Sequence, residues 1–222
     1  VMMAIWHRDQ TGEGQKVEIG QAENASAMLA QAFMEYAING VVPERRGNRS
    51  LYDFAPTGVY PCRSNGSAAE NEDRWISISI LSDRQWKALC EVMGNPKWAT
   101  DPALSTNDGR LAAHDEIDAH LAEWTAGFDD YELFHRLQAA GIAAGPVLES
   151  SRVFDDAHVQ ARDLYQPQML FDGSGPFRFN TPFIRFSETP TGVRQPPVAL
   201  GEHNEYVYRE LLGVDDAEYD RL

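Results

Sequence analysis

The clearest alternation of apolar and polar residues lies at positions 75–80, where Ile76, Ile78 and Ile80 occupy every second place. Such alternation predicts a strand with one buried face. Shorter apolar patterns predict strands at 57–62 and 142–148, and a further short strand at 16–19. Short extended segments are expected between 167 and 197, where six prolines lie.

Apolar residues at helical spacing predict helices at 1–10, 21–38, 83–93, 108–125 and 130–140, with further short helices after 150 and after 204. Ser82 and Gln85 form a capping box, and Asp129 is a predicted N-cap. The first helix has no N-cap residue before its apolar run. We therefore expect that the chain is the tail of a longer polypeptide.

Composition excludes several classes of protein. The 222 residues are 43% hydrophobic and 24% charged, which is typical of a folded globular chain. A net charge of −15 argues against a nucleic-acid partner. No apolar run approaches the length of a membrane span, so no membrane association is expected. Cys62 and Cys90 are too few for a disulfide framework and are predicted to be buried free thiols in the cytoplasm.

The sequence contains no phosphate-binding loop, nucleophile elbow or zinc-protease signature. None of the six histidines has the spacing of a metal site, so no metal is predicted. His114, His120 and His135 lie on predicted helices among charged residues and are expected to face solvent. No catalytic residue is predicted within the chain.

The loop at 47–58 mixes glycines, prolines, an arginine and aromatic residues, a composition often found around binding sites. The alternative is a connector whose aromatic side chains fill a core. The candidate site residues in and beside this loop are Gly47, Asn48, Arg49, Tyr52, Pro56, Gly58 and Tyr60.

Five segments, in order along the chain, resemble those of one known family. They are T-G-E-G-Q-K-V-E-I at 11–19, R-G-N-R at 46–49 followed by A-P-T-G-V-Y at 55–60, W-A-T-D-P at 98–102, A-G-I-A-A-G-P-V at 140–147, and G-E-H-N at 201–204 with L-L-G at 211–213. The family is the family III CoA-transferases, the group of formyl-CoA transferase, L-carnitine dehydratase and bile-acid-inducible protein F.

The resemblance implies an α/β fold, with a small α/β domain and the C-terminal parts of a Rossmann-like large domain. Residues 1–46 would be the end of the first stretch of chain in the large domain together with its linker helix, and residues 47–146 would be the small domain. Residues 147–222 would return to the large domain. The family also implies a homodimer of interlocked protomers.

The implied activity moves CoA between an acyl-CoA and a carboxylic acid through an aspartyl-CoA intermediate. Coenzyme A is then a co-substrate, and no covalently bound cofactor is expected. The nucleophilic aspartate would precede residue 1, so this chain alone is expected to be inactive. The alternatives are a non-catalytic partner subunit or truncated form, an acyl-CoA racemase of the same fold, and an unrelated α/β interaction domain.

Overall fold

The structure is a computed structural model that describes residues 1–49, 54–64, 73–195 and 197–222. Contacts divide it into two compact units, Val1–Val147 and Leu148–Leu222. The predicted division of the first unit at residue 46 stays a prediction.

The first unit begins with three helices, α1 (Met2–Thr11), α2 (Gln21–Met28) and α3 (Ala30–Asn39), none of which contains a buried residue. The single helix predicted at 21–38 is wrong, because the helix is interrupted at Leu29. Within α2, the Ser26 hydroxyl donates to the carbonyl of Ala22 at 2.9 Å, a contact that often bends helices. Residues 16–19 form no strand, since no described strand lies beside them to accept their hydrogen bonds.

A three-stranded antiparallel sheet follows, with the strand order β1 (Thr57–Cys62), β2 (Arg74–Ser79), β3 (Ala143–Pro146). Tyr60 pairs with Ile76, and Ile78 pairs with both Gly58 and Ala144. The strands predicted at 57–62 and 75–80 are confirmed. The central strand β2 carries the isoleucine alternation, and Ile76 and Ile78 are fully buried.

Helices cover one face of this sheet: α4 (Asp83–Val92), a 3-10 turn (Pro102–Ser105), α5 (Asn107–Ala112), α6 (His114–Thr125) and α7 (Asp130–Ala139). The predicted caps are confirmed, since Ser82 and Asp129 both accept hydrogen bonds from backbone N–H groups of their helices. The helix predicted at 108–125 is divided at Ala113. Gly109 allows α5 to approach the 3-10 turn, because a Cβ there would lie 1.7 Å from the carbonyl oxygen of Ala103.

The core of the first unit lies between the sheet and these helices and includes Ile76, Ile78, Leu121, Leu133 and Leu137. Cys62 and Cys90 are buried free thiols, as predicted. Burial raises the pKa of Cys62 to about 12 and that of Cys90 to about 11. Neither thiol is therefore a reactive thiolate near neutral pH.

The second unit consists of short elements: α8 (Ser150–Val153), α9 (Ala157–Ala161), the antiparallel hairpin of β4 (Tyr165–Gln168) and β5 (Phe177–Asn180), a π-helical segment (Tyr206–Leu211) and α10 (Asp216–Tyr219). Each strand of the hairpin has four residues. Among the helices of the described residues, none has the length and apolar character needed to cross a membrane.

Candidate functional site

Residues 46–49 form a tight turn, which we call the 46–49 turn. Gly47 adopts φ 64°, a left-handed conformation that a residue without Cβ reaches readily. The N–H of Arg49 donates to the carbonyl of Arg46 at 3.3 Å and closes the turn. The turn holds the Arg49 backbone in place, so that its side chain can reach helix α6.

Arg49 contacts two carboxylates on α6. Its Nε and Nη2 donate to Oδ2 of Asp118 at 3.0 and 2.7 Å, and Nη2 also donates to Oδ1 of Asp115 at 2.5 Å. Asp115 and Asp118 are three residues apart, which places them on one face of the helix. These hydrogen bonds raise the pKa of Arg49, and the guanidinium lowers the pKa of Asp115. Arg49 is thus shared between two acids.

Tyr60 on strand β1 completes the set of donors to Asp118. Its hydroxyl donates to Oδ1 of Asp118 at 2.7 Å, and burial raises the pKa of the phenol well above its ordinary value. Gly58 lies on the same face of β1, and a Cβ there would stand only 2.9 Å from the Tyr60 hydroxyl oxygen. The absence of a side chain at Gly58 is therefore part of what lets Tyr60 reach Asp118.

His114 lies one helical turn before Asp118 and is buried, with 8% of its surface exposed. Its Nε2 is 3.6 Å from Oδ1 of Asp118, beyond hydrogen-bond distance, and has no hydrogen-bond partner among the described residues. Burial lowers the pKa of the imidazole, and the nearby Asp118 only partly opposes this effect. The expectation that His114 faces solvent is wrong, because α6 turns this residue toward the packed side.

A cleft of about 280 Å³ opens between the 46–49 turn, strand β1 and helix α6. It is lined by Arg46, Asn48, Arg49, Gly58, Val59, Tyr60, Pro61, Asp118 and Ala122. The Asp118 carboxylate is neutralised by Arg49 and hydrogen-bonded by Tyr60. A carboxylate whose oxygens already accept hydrogen bonds from an arginine and a tyrosine is a weak nucleophile, so the cleft is suited to binding rather than to covalent chemistry.

The chain enters β1 through Ala55 and Pro56, both buried. The N–H of Ala55 donates to Oδ1 of Asn107 at 3.2 Å, and its carbonyl accepts from Nε of Arg110 at 2.7 Å. The carbonyl of Pro56 accepts from the N–H of Ile80 at 2.9 Å. These bonds fix the backbone just before the residues of β1 that line the cleft.

Four of the predicted site residues, Asn48, Arg49, Gly58 and Tyr60, therefore lie together around one cleft. Gly47 shapes the turn without lining the cleft, and Pro56 is buried and does not line the cleft either. Tyr52 lies outside the described residues.

Four residues of this region were not predicted from the sequence. Asp115 and Asp118 bind Arg49, while Asn107 and the fully buried Arg110 bind Ala55. The three- and four-residue spacing of His114, Asp115 and Asp118 was a usable signal that they share a helix face. Within the described part of the chain, no three His, Cys, Asp or Glu side chains are arranged to hold a metal ion.

Comparisons with known proteins agree with this architecture. The model of CoA-transferase family III matches residues 1–204. Succinyl-CoA–D-citramalate CoA-transferase from Chloroflexus aurantiacus is 30% identical over 100% of this chain and 52% of its own length. A probable CoA-transferase of Mycobacterium tuberculosis is 31% identical over 100% of this chain and 26% of its own length. The crystal structure of a CaiB/BaiF family protein from Brucella suis superposes with a TM-score of 0.75 at 27% identity, over 95% of this chain and 51% of that one.

The chain belongs to CoA-transferase family III. The resemblance drawn from the five sequence segments is confirmed, as is the family's α/β fold. The chain spans about half the length, or less, of these family members.

Proposed function

We propose that this chain is part of an enzyme that transfers CoA from an acyl-CoA thioester to a carboxylic acid. Family membership over residues 1–204 is the observation that carries the proposal. The relatives named above are described as CoA-transferases, which favours transfer over racemisation.

In this proposal an aspartate outside these residues attacks the thioester carbonyl and expels CoA thiolate, leaving a mixed anhydride. The thiolate then attacks the aspartyl carbonyl, forms the aspartyl-CoA thioester and releases the donor acid. The acceptor carboxylate finally takes over CoA by the reverse sequence. Asp118, whose oxygens already accept hydrogen bonds from Arg49 and Tyr60, is not that nucleophile. Because the proposed nucleophile lies outside these residues, this chain alone is inactive in this proposal.

The cleft beside the 46–49 turn is the part of the substrate site that this chain contributes. Arg46, Asn48 and Tyr60 place charged and polar groups along it, while Val59 and Pro61 supply apolar surface. A polar and apolar lining of this kind suits a molecule such as CoA, which has charged, polar and aliphatic parts. The 46–49 turn and β1 would position the thioester and exclude water from it.

The acyl donor that we propose is succinyl-CoA, and the acceptor a carboxylic acid. The support is the name of the Chloroflexus aurantiacus relative, which pairs succinyl-CoA with D-citramalate. A second relative, from Agrobacterium fabrum, is a succinate–glutarate CoA-transferase, 29% identical over 97% of this chain.

The enzyme is further proposed to be a cytoplasmic homodimer of interlocked protomers. Apolar side chains along the first three helices support an assembly of this kind. Met28, Phe33 and Ile38 are 86%, 57% and 71% exposed in the single chain, and such surface is usually covered in a complete protein.

The test is to incubate the complete protein with succinyl-CoA and a set of carboxylic acids, and to follow new CoA thioesters by mass spectrometry. We expect transfer, and a CoA adduct on one aspartate outside these 222 residues. Absence of transfer to any acid would contradict the proposal, and an adduct on Asp118 would contradict the role assigned to that residue. Substitution of the labelled aspartate by asparagine is the control and should abolish both signals.

A further inference from the structure

The side chain of Arg110 is completely buried within the first unit. Its Nη2 donates to Oδ1 of Asp83 at 2.9 Å, its Nη1 to the carbonyl of Leu104 at 3.1 Å, and its Nε to the carbonyl of Ala55. Its guanidinium carbon lies 5.5 Å from the centre of the Trp86 ring. Burying a cation is costly, and an apolar side chain of similar volume often serves stability as well or better. What an apolar side chain cannot supply is a directed hydrogen bond to a backbone carbonyl.

Arg110 acts together with Asn107, three residues earlier on α5. Between them they bind both backbone polar groups of Ala55, the N–H through Asn107 and the carbonyl through Arg110. Ala55 itself is fully buried. The position of Ala55 is therefore set by two side chains of α5.

The 46–49 turn, which forms another side of the cleft, is held by helix α6. Arg49 of the 46–49 turn is bound by Asp115 and Asp118 of α6, and α6 follows α5 directly after Ala113. Side chains of the adjoining helices α5 and α6 thus hold both the 46–49 turn and the start of β1. A shift of Ala55 relative to α5 would move Gly58 and Tyr60 relative to Asp118 and so change the shape of the cleft.

We infer that Arg110 and Asn107 are positioning residues for the substrate cleft: through Ala55 they hold strand β1 in the place that binding of the CoA substrate requires. This inference rests on the proposed function. Neither residue lines the cleft, so both would act through the backbone that they hold.

The test compares Arg110→Met, Arg110→Lys and Asn107→Ala with the core variant Leu137→Ala, all in the complete protein. Leu137 is fully buried on α7 and does not touch the cleft, so its variant controls for loss of stability. We expect Arg110→Met and Asn107→Ala to raise KM for succinyl-CoA about 10- to 100-fold with a smaller change in kcat, because misplacement by an ångström or so weakens binding. Arg110→Lys should restore part of the loss, and Leu137→Ala should leave KM unchanged.

A second readout separates this inference from the proposed function. Hydrogen exchange without any ligand should accelerate at the amides of Ala55 and Ile80 in Arg110→Met, while the amides of α7 keep their protection. If the wild-type protein transfers no CoA, the proposed function fails, and unchanged exchange at these two amides would overturn the positioning role as well. If transfer is present and KM changes no more in Arg110→Met and Asn107→Ala than in Leu137→Ala, Arg110 is only a core residue and the inference is wrong.

Discussion

Helices α1–α3 and the region from Phe54 to Val147 contain similar local signals but differ in what they bury. Both carry apolar residues at helical spacing, yet α1–α3 contain no buried residue. In the second region, one core contains Ile76, Ile78, Leu121 and Leu133, and all four are fully buried. Apolar spacing predicts where a helix forms, but burying its apolar face requires a second apolar surface within reach, and that packing supplies most of the stability of a helix.

The largest expected effect is a loss of core stability. Ile78→Ala should lower the free energy of unfolding of this 222-residue chain by about 2–5 kcal/mol, because it removes buried methyl groups and leaves a cavity. Phe33→Ala on α3 should change the same free energy by no more than about 0.5 kcal/mol, since it replaces an exposed side chain. Urea unfolding of both variants measures the difference. Equal losses would show that α3 packs as firmly as β2, contrary to the comparison.

The next largest effect is a loss of stability at the cleft, and it should differ between the two aspartates that bind Arg49. Asp118→Asn should cost about 1.5–3 kcal/mol of unfolding free energy, because the half-buried carboxylate accepts bonds from both Arg49 and Tyr60. Asp115→Asn should leave the free energy near the wild-type value, since the Asp115 side chain is 93% exposed.

The matched pair of asparagine variants is compared by chemical denaturation at low and high salt. Any contribution of Asp115 should disappear at high salt, where exposed ion pairs are screened, and that of Asp118 should persist. A larger loss for Asp115→Asn than for Asp118→Asn would contradict the view that the hydrogen bonds of Asp118 to Arg49 and Tyr60 contribute more to stability than the ion pair of Asp115.

The smallest expected effect is a pH dependence due to His114. Burial lowers the pKa of this histidine below its ordinary value of 6.5 in the folded chain, so the unfolded chain takes up a proton first as the pH falls. The contribution of the neutral imidazole to the free energy of unfolding is therefore fully present above about pH 6.5. It is lost progressively as the pH falls from there to the lower pKa of the folded state. The charged groups that act on His114, namely Asp118, Arg49 and Asp115, are unchanged in the variant.

His114→Gln is the variant for this measurement. Unfolding free energies at about pH 8 and about pH 5.5 should differ less in His114→Gln than in the wild type, because the glutamine does not titrate. A wild-type stability that increases toward lower pH, and loses this increase in the variant, would mean that Asp118 raises the histidine pKa more than burial lowers it.

Much of the fold was predictable where the signal is local. The isoleucine alternation of β2 and the caps at Ser82 and Asp129 require only neighbouring residues, and the structure confirms them. The strand predicted at 16–19 failed because a strand depends on hydrogen-bond partners elsewhere in the molecule, which local spacing does not report. The interruptions at Leu29 and Ala113 were missed because apolar spacing continues across them.

The candidate site was predicted only in part, for a related reason. Glycines, an arginine and tyrosines in one loop indicated the turn and the β1 residues of the cleft. His114 and Arg110 were missed, because charged neighbours predict exposure and only tertiary packing buries them. Pro56 was proposed as a site residue and stays a prediction; it is buried and does not line the cleft.

The central claim is that the cleft beside the 46–49 turn forms part of the CoA site of a family III transferase. The most direct measurement is hydrogen exchange of the complete protein with and without saturating coenzyme A. We predict slower exchange in peptides covering residues 46–62 and no change in α7. Coenzyme A binding that slows exchange elsewhere but leaves residues 46–62 unchanged would contradict the claim.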